Sequence, residues 1–124
     1  MKTIKQILQS KTHGILTISP DATVYDALKL MADKEVGALL VMQADKLVGI
    51  ISERDYARKV ILHGKSSKEI HVSDIMTSKI VYVNTAQTVD ECMALMTDKR
   101  IRHLPVYEGD RLVGVVSIGD LVKE

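Results

Sequence analysis

Two short stretches of this chain place a serine three residues before an aspartate, directly after an aliphatic run. They read Gly-Ile-Ile-Ser-Glu-Arg-Asp at 49–55 and Gly-Val-Val-Ser-Ile-Gly-Asp at 114–120. A serine at a helix start accepts a backbone N–H, and an aspartate in the first turn complements the helix dipole. A strand leading into a helix N-terminus also binds phosphate and small anions. Each stretch, called here the first corner (49–55) and the second corner (114–120), is therefore a helix cap or part of a ligand pocket.

The two corners belong to an internal duplication. Residues 19–58 align with residues 84–123 without a gap, and 14 of the 40 positions are identical. Further upstream, residues 3–8 match residues 71–76 at a slightly larger offset. Both corners keep the serine and the aspartate, whereas the two residues between them differ. A single helix cap of this kind is explained without a ligand. Two corners that both keep the serine and the aspartate favour two matching ligand pockets.

Each repeat predicts a short extended piece, a helix, a β-hairpin and a second helix. Thr88-x-x-Glu91 is a capping box and Thr23-x-x-Asp26 resembles one, and apolar residues follow each at helical spacing. Next come two aliphatic runs around a short polar turn, Gln-Ala-Asp-Lys in the first repeat and Glu-Gly-Asp-Arg in the second. These patterns predict a helix that begins at each threonine and a buried hairpin after it.

The pieces at both ends of each repeat are shorter. Extended segments are expected at 15–18 and 80–83, and residues 55–62 predict a helix that ends at Gly64. The chain stops four residues after Asp120, so we expect a short final helix. We expect residues 1–64 to form the first repeat, 65–70 a linker and 71–124 the second repeat, together one compact module.

Composition excludes several classes of function. The 124 residues carry 17 basic and 16 acidic side chains, with four tyrosines as the only aromatic residues. Neither a basic footprint nor stacking platforms for nucleic acid are therefore expected. The sequence contains no run of about 18 apolar residues, so neither a membrane span nor secretion is expected. The single cysteine, Cys92, lies in an apolar helical pattern and is expected to be a small buried hydrophobic residue, which suits a cytoplasmic location.

Catalytic and metal chemistry find little support in the sequence. No nucleophile–base arrangement, glycine-rich phosphate loop or carboxylate pair is present, and neither serine has a histidine nearby in sequence. The four histidines lack metal-ligand spacing. We expect structural or surface roles for His13, His63 and His71, whereas His103 stands next to Arg102 and is a candidate ligand contact. We therefore expect neither an enzyme nor a metal site.

The duplicated Gly-hydrophobic-hydrophobic-Ser-x-x-Asp pattern, with Arg-His-Leu-Pro-Val (102–106) before the second hairpin, resembles a tandem CBS-domain pair, or Bateman module. The resemblance extends from about Ile4 to Lys123 and is closest to small proteins that consist only of such a pair. It implies a mixed α/β (α+β) fold of two β-α-β-β-α repeats, packed sheet to sheet with pseudo-twofold symmetry. It also implies a homodimer.

The resemblance further implies an adenosyl ligand, such as AMP, ADP, ATP, NAD or S-adenosylmethionine, and no catalytic cofactor. The family aspartate accepts hydrogen bonds from both ribose hydroxyls, and the serine three residues earlier helps to hold ribose or phosphate. An ionised carboxylate suits a vicinal diol, because it accepts two charge-assisted hydrogen bonds. At the matching positions here stand Ser52 with Asp55 and Ser117 with Asp120.

The remaining pocket positions follow from the same resemblance. Adenine contacts are implied near Ile15 and Ile51 in one pocket, and near Thr77, Ile80 and Val116 in the other. Phosphate contacts are implied for Arg102 and His103. The first repeat has Gly37-Ala38 at the positions of that basic pair, so its cation would come from Arg54 or Arg58 instead. The two sites are therefore expected to be unequal.

Two functions from different classes remain open at this point. The first is a cytoplasmic regulatory module that senses an adenine nucleotide and acts through an unknown effector protein, with no nucleic-acid or membrane partner. The second is an interaction scaffold with vestigial pockets, in which the serines and aspartates only cap helices. Ligand response separates the two.

Overall fold

The computed structural model describes residues 2–11 and 14–123, so the prediction for His13 lies outside the described residues. The strand, helix, hairpin and second helix predicted for each repeat occur in that order. The helices are α1 (Ile4–Ser10), α2 (Val24–Lys34), α3 (Glu53–Lys59), α4 (Val72–Ile75), α5 (Val89–Lys99) and α6 (Ile118–Val122). The strands are β1 (Thr17–Ile18), β2 (Ala38–Gln43), β3 (Lys46–Ser52), β4 (Val83–Asn84), β5 (His103–Glu108) and β6 (Arg111–Ser117).

The chain divides into two compact units, each built on one sheet. The first-corner unit is Leu16–Ile80 and holds the sheet β1-β2-β3. The second-corner unit is Met1–Ile15 together with Val81–Glu124 and holds the sheet β4-β5-β6. Helix α1 thus belongs with the second corner and α4 with the first corner. In each unit the first strand runs parallel to the second, which pairs antiparallel with the third.

Helices α2 and α5 begin where the sequence predicts. The hydroxyl of Thr23 accepts the N–H of Asp26, and Thr88 forms a complete capping box with Glu91. Each helix then buries three residues at helical spacing. These are Val24, Ala27 and Met31 in α2, and Val89, Cys92 and Met96 in α5. Cys92 is fully buried, as expected from its place in the apolar pattern.

The two β-hairpins are also confirmed, and they match in detail. Each pairs six residues of one strand with the next strand, and each register shifts at the equivalent position, between Val41 and Met42 or between Val106 and Tyr107. The buried faces of each sheet and its helix form one aliphatic cluster per unit. The mixed α/β fold class of a duplicated chain is therefore confirmed.

The structure differs from the sequence-based expectation in the short elements. Strands β1 and β4 have only two residues each, because only Thr17–Ile18 and Val83–Asn84 pair with the neighbouring strand. The helix expected at 55–62 is α3 followed by a 3₁₀ turn at Ile61–His63, which ends at Gly64 with a φ of 69°. The matching upstream segments both form helices, α1 and α4.

Helices α1 and α4 hold the N-termini of the longer helices. In the second-corner unit the Ile4 N–H donates to Gln87 O, and the Val89 N–H donates to Lys2 O. In the first-corner unit the Val24 N–H donates to Ile70 O, and the Val72 N–H donates to Ala22 O. These bonds satisfy amides that a helix start leaves without partners.

Candidate functional site

In the first corner, Ser52 and Asp55 form a closed capping box at the junction of β3 and α3. The Asp55 N–H donates to Ser52 Oγ at 3.2 Å. The backbone N–H and the hydroxyl of Ser52 both donate to Asp55 Oδ2, at 3.0 and 3.1 Å. The sequence folds this way because a strand ends at a residue whose side chain can cap the helix that follows. The carboxylate is thereby fixed in position, with only 14% of the Asp55 side chain exposed.

The second corner repeats this geometry at the junction of β6 and α6. The Asp120 N–H donates to Ser117 Oγ at 3.1 Å, and the Ser117 N–H donates to Asp120 Oδ2 at 2.8 Å. The Asp120 side chain is 21% exposed. Each predicted serine–aspartate pair is therefore brought together, and each carboxylate is fixed at a partly open edge of its unit.

A lysine contacts each of these carboxylates, and neither lysine was among the predicted site residues. Lys59 Nζ lies 3.1 Å from Asp55 Oδ1 and also donates to Ile75 O at 2.8 Å. Lys11 Nζ donates to Asp120 Oδ2 and to Val115 O, both at 2.8 Å. The first contact could have been predicted, because oppositely charged residues four apart face each other on a helix. The second joins residues 109 apart in sequence and has no local signal.

The Lys11 contact changes the electrostatics of the second corner. Burial by itself would raise the pKa of Asp120, but the hydrogen bonds from Lys11 and from the Ser117 backbone, with the charge of Lys11, outweigh burial. The pKa of Asp120 therefore lies below its ordinary value of 3.8. At neutral pH this carboxylate is ionised, as a charge-assisted acceptor requires.

The predicted basic pair lies beside the second corner. His103 is the register partner of Ser117 in the β5–β6 hairpin, and the carbonyl of Arg102 accepts the N–H of Ile118 at 2.9 Å. At the equivalent positions of the first corner, Ala38 pairs with Ser52 and Gly37 accepts the Glu53 N–H. The second corner therefore has two basic residues where the first has none.

The predicted first-corner cations lie on α3. Arg54 and Arg58 are both exposed, and both follow the capping serine within the same short helix. On the same helix, Lys59 forms an ion pair with the Asp55 carboxylate.

The residues predicted to contact adenine differ in how exposed they are. Ile51 and Val116 are 0% exposed and lie in the two cores. Thr77 forms two backbone hydrogen bonds with Ile50, at 2.8 and 3.0 Å, and so lies beside the strand that leads into the first corner. Ile15 is 38% exposed, and Ile80 is half-buried.

The glycine that opens each corner permits close approach of a neighbouring segment. A Cβ at Gly49 would lie 2.6 Å from Met76 Sδ and 3.0 Å from Thr77 O. A Cβ at Gly114 would lie 2.8 Å from Leu8 Cδ2. The strand glycines thus let the segment that ends α4 pack on β3, and let α1 pack on β6.

A separate open cleft of about 820 Å³ lies in the first-corner unit. None of the predicted site residues lines this cleft. Lys59, which contacts the Asp55 carboxylate, is one of its lining residues. The lining residues are Lys59, His63, Gly64, Lys65, Ser66, Glu69, Ile70, Asp74 and Ile75.

Across residues 2–11 and 14–123, no group of three His, Cys, Asp or Glu side chains is arranged to hold a metal ion. None of the helices found there has the length and apolar character needed to cross a membrane.

Comparison with known proteins defines the class to which this fold and these corners belong. The model of the CBS domain matches the chain twice, at residues 4–62 and 72–124. The chain belongs to the CBS-domain family, with two tandem copies.

Individual relatives share both sequence and fold. The chain is 45% identical to the mitochondrial CBS domain-containing protein CBSX3 of Arabidopsis thaliana, over 98% of this chain and 63% of that protein. It therefore spans less than two thirds of that relative. A proposed signal-transduction protein with CBS domains from Burkholderia ambifaria is 54% identical, with a TM-score of 0.95 over 98% of this chain and 92% of that one. A hexameric CBS-CP12 protein from cyanobacteria is 33% identical, with a TM-score of 0.88 over 99% and 71%.

Proposed function

We propose that this chain is a non-catalytic regulatory module that binds an adenosyl ligand at its two corners. The candidates are AMP, ADP, ATP, NAD and S-adenosylmethionine. The observation that carries the proposal is the duplicated, partly exposed carboxylate: Asp55 accepts the backbone N–H of Ser52, and Asp120 accepts that of Ser117. A fixed and ionised carboxylate is a suitable acceptor for the two hydroxyls of a ribose, because little conformational entropy remains to be lost on binding.

The second corner is proposed as the site for a phosphorylated ligand. Arg102 and His103 flank it, whereas Gly37 and Ala38 stand at the equivalent positions of the first corner. Guanidinium groups form charge-assisted hydrogen bonds with phosphate. Arg54 and Arg58 on α3 are the proposed cations of the first corner. As the resemblance implies, adenine is proposed near Ile15 and Ile51 for one ligand, and near Thr77, Ile80 and Val116 for the other.

Regulation requires that the ligand bind one conformation of the module better than another. We propose that the resulting shift is read by a separate effector protein and that the module is a homodimer in the cytoplasm. Because the cyanobacterial CBS-CP12 relative is hexameric, the oligomeric state of this chain has to be measured.

The experiment is thermal unfolding with each candidate ligand at millimolar concentration. A ligand present at 100 times its Kd stabilises the folded state by about 2.7 kcal/mol, which raises the Tm measurably. We expect at least one adenosyl ligand to raise the Tm, and guanosine and cytidine nucleotides to have a smaller effect. Unchanged Tm values with all five candidates would contradict the proposal.

An interaction scaffold with vestigial pockets is the second candidate. It is favoured by one observation: the capping boxes already satisfy Ser52, Asp55, Ser117 and Asp120 within the chain. On this alternative, replacing either aspartate lowers stability and leaves the response to every nucleotide unchanged.

A further inference from the structure

One oxygen of the Asp120 carboxylate, Oδ2, already accepts two hydrogen bonds. A carboxylate oxygen has two lone pairs, and Oδ2 accepts one hydrogen bond from the Ser117 N–H and one from Lys11 Nζ. A vicinal diol bound through both carboxylate oxygens needs one of these positions. The Ser117 N–H belongs to the start of α6 and cannot leave without unwinding that helix. The Lys11 ammonium is the end of a flexible side chain and can leave.

We propose that Lys11 is a displaceable counter-ion of the second corner, which a ligand's diol must remove from Asp120 before it can bind through both oxygens. This inference rests on the proposed function, since it assigns the regulation of the same site. Lys11 occupies this acceptor position and thereby lowers the affinity for any diol. A ligand binds only when its own contacts exceed what the lysine provides.

The two corners differ in which donors occupy Oδ2: at Asp55 both donors belong to Ser52, whereas at Asp120 one of them is Lys11. Lys59 is on the same helix as Asp55, contacts Oδ1 and has a side chain that is 46% exposed. Lys11 contacts the oxygen that the cap also uses, and its side chain is 22% exposed. Exposed pairs four residues apart on a helix are weak, whereas a less exposed pair with a charged hydrogen bond is stronger. Lys11 is therefore the larger obstacle to a ligand.

Displacement of Lys11 also has a consequence for the C-terminal end of α1. Lys11 is the residue at which α1 ends, and its N–H donates to Leu8 O at 3.3 Å. Its ammonium ties that helix end to β6 through Val115 O and to α6 through Asp120. Loss of both contacts loosens the end of α1 in response to the ligand. The corner thereby converts ligand binding into a change at a helix end that lies over 100 residues away in sequence.

The test is the affinity for adenosine, which has the diol but no phosphate. Isothermal titration is carried out in an Asp55→Ala background, which leaves the second corner as the only proposed site. Because Lys11→Met removes the competing charge and keeps the aliphatic stem, we expect it to bind adenosine about five- to tenfold more tightly. Lys11→Gln, a second neutral variant, should do the same if either variant folds poorly by circular dichroism.

Two controls make the result specific. Lys5→Met removes an exposed lysine of the same helix and should leave the affinity within about twofold. Lys11→Arg keeps a cation and should also bind like its parent. In the parent, adenosine should accelerate hydrogen exchange of the Lys11 amide, whereas in Lys11→Met the exchange should be fast with or without adenosine.

The outcomes separate the inference from the function on which it rests. Unchanged or weaker adenosine binding by both neutral variants overturns the role of Lys11 as a competitor. If the natural chain binds adenosine but the Asp55→Ala parent does not, the second corner is not a diol site. This result also overturns the inference about Lys11. Absence of adenosine binding even to the natural chain overturns the inference, because the diol then does not compete with Lys11, whereas the proposed function fails only if all five adenosyl ligands leave the Tm unchanged.

Discussion

Lys11 Nζ lies 2.8 Å from Asp120 Oδ2, although the two residues are 109 positions apart. The repeat that contains Asp55 meets the same need for a cation from within α3, through Lys59. The position equivalent to Lys59 in the second repeat is Glu124, so the second repeat does not carry that lysine. The duplication therefore preserves the carboxylate but not the origin of its counter-ion. This difference distinguishes two corners that are otherwise alike.

Asp120→Asn is expected to lower the free energy of unfolding by about 1–2 kcal/mol at pH 7, because it removes a charged acceptor from Lys11 and Ser117. The pKa of Asp120 is lowered in the folded state, so its contribution is complete above the ordinary value of 3.8 and is lost as the pH falls through the lower folded-state pKa. Urea unfolding should show the same difference between the two proteins at pH 7 and pH 5, and a smaller difference at pH 3. A difference that grows on acidification would contradict this assignment.

Ser52→Ala and Ser117→Ala are each expected to cost about 1 kcal/mol of stability, because each removes the side-chain cap of a helix. Ser78→Ala is the matched control, since Ser78 is exposed and lies outside the helices and strands. Urea unfolding measures all three. Equal stability of Ser78→Ala and the two cap variants would show that the capping bonds contribute nothing measurable.

Gly49→Ala is expected to destabilise the protein by about 1–3 kcal/mol, because its Cβ would approach both Met76 Sδ and the backbone oxygen of Thr77. Gly114→Ala should cost less, since its Cβ meets only the flexible end of Leu8. Gly14→Ala is the control, because no atom of the described residues beyond its chain neighbours lies within 4 Å of the added Cβ. Thermal unfolding should rank the three in that order, and a larger loss for Gly114→Ala than for Gly49→Ala would reverse the assignment.

Cys92 is expected to be unreactive in the folded protein. Burial and the nearby charge of Glu91 raise the pKa of its thiol to about 11, so thiolate is scarce at pH 8. Reaction with a chromogenic disulfide reagent should be at least about a hundredfold slower in buffer than in concentrated denaturant. A fast reaction of the native protein would show that the α5 core opens readily.

Much of the fold could be predicted from the sequence, because its signals are local. Thr23 and Thr88 mark helix starts by capping, and the aliphatic runs on both sides of short polar turns mark hairpins. The left-handed residues that end α2 and α5 were not predictable, because they are Glu35 and Arg100 and not glycine. The length of β1 also depends on tertiary pairing with β2, which no local pattern specifies.

The candidate site was predictable to a similar extent. The serine–aspartate pairs follow from local spacing, and Arg102 and His103 were implied by the resemblance to a CBS-domain pair. Lys11 could not be found in this way, since its contact with Asp120 depends on α1 packing on β6. Likewise, the burial of Ile51 and Val116 reflects which strand face meets the helices, and a continuous aliphatic run hides that alternation.

The most direct test of the central claim is the number and affinity of AMP sites in four proteins: the natural chain, Asp55→Ala, Asp120→Ala and the double variant. Each aspartate is proposed to accept the ribose hydroxyls, so its loss should weaken its own site by about 10- to 150-fold. Asp33→Ala, at an exposed position of α2, serves as the control for loss of an acidic residue. Circular dichroism establishes that each variant is folded.

Isothermal titration calorimetry gives both quantities in one experiment. We predict two unequal sites in the natural chain and in Asp33→Ala, one remaining site in each single corner variant, and none of comparable affinity in the double variant. A double variant that is folded and binds AMP with the stoichiometry and affinity of the natural chain would contradict the assignment of the two corners as ligand sites.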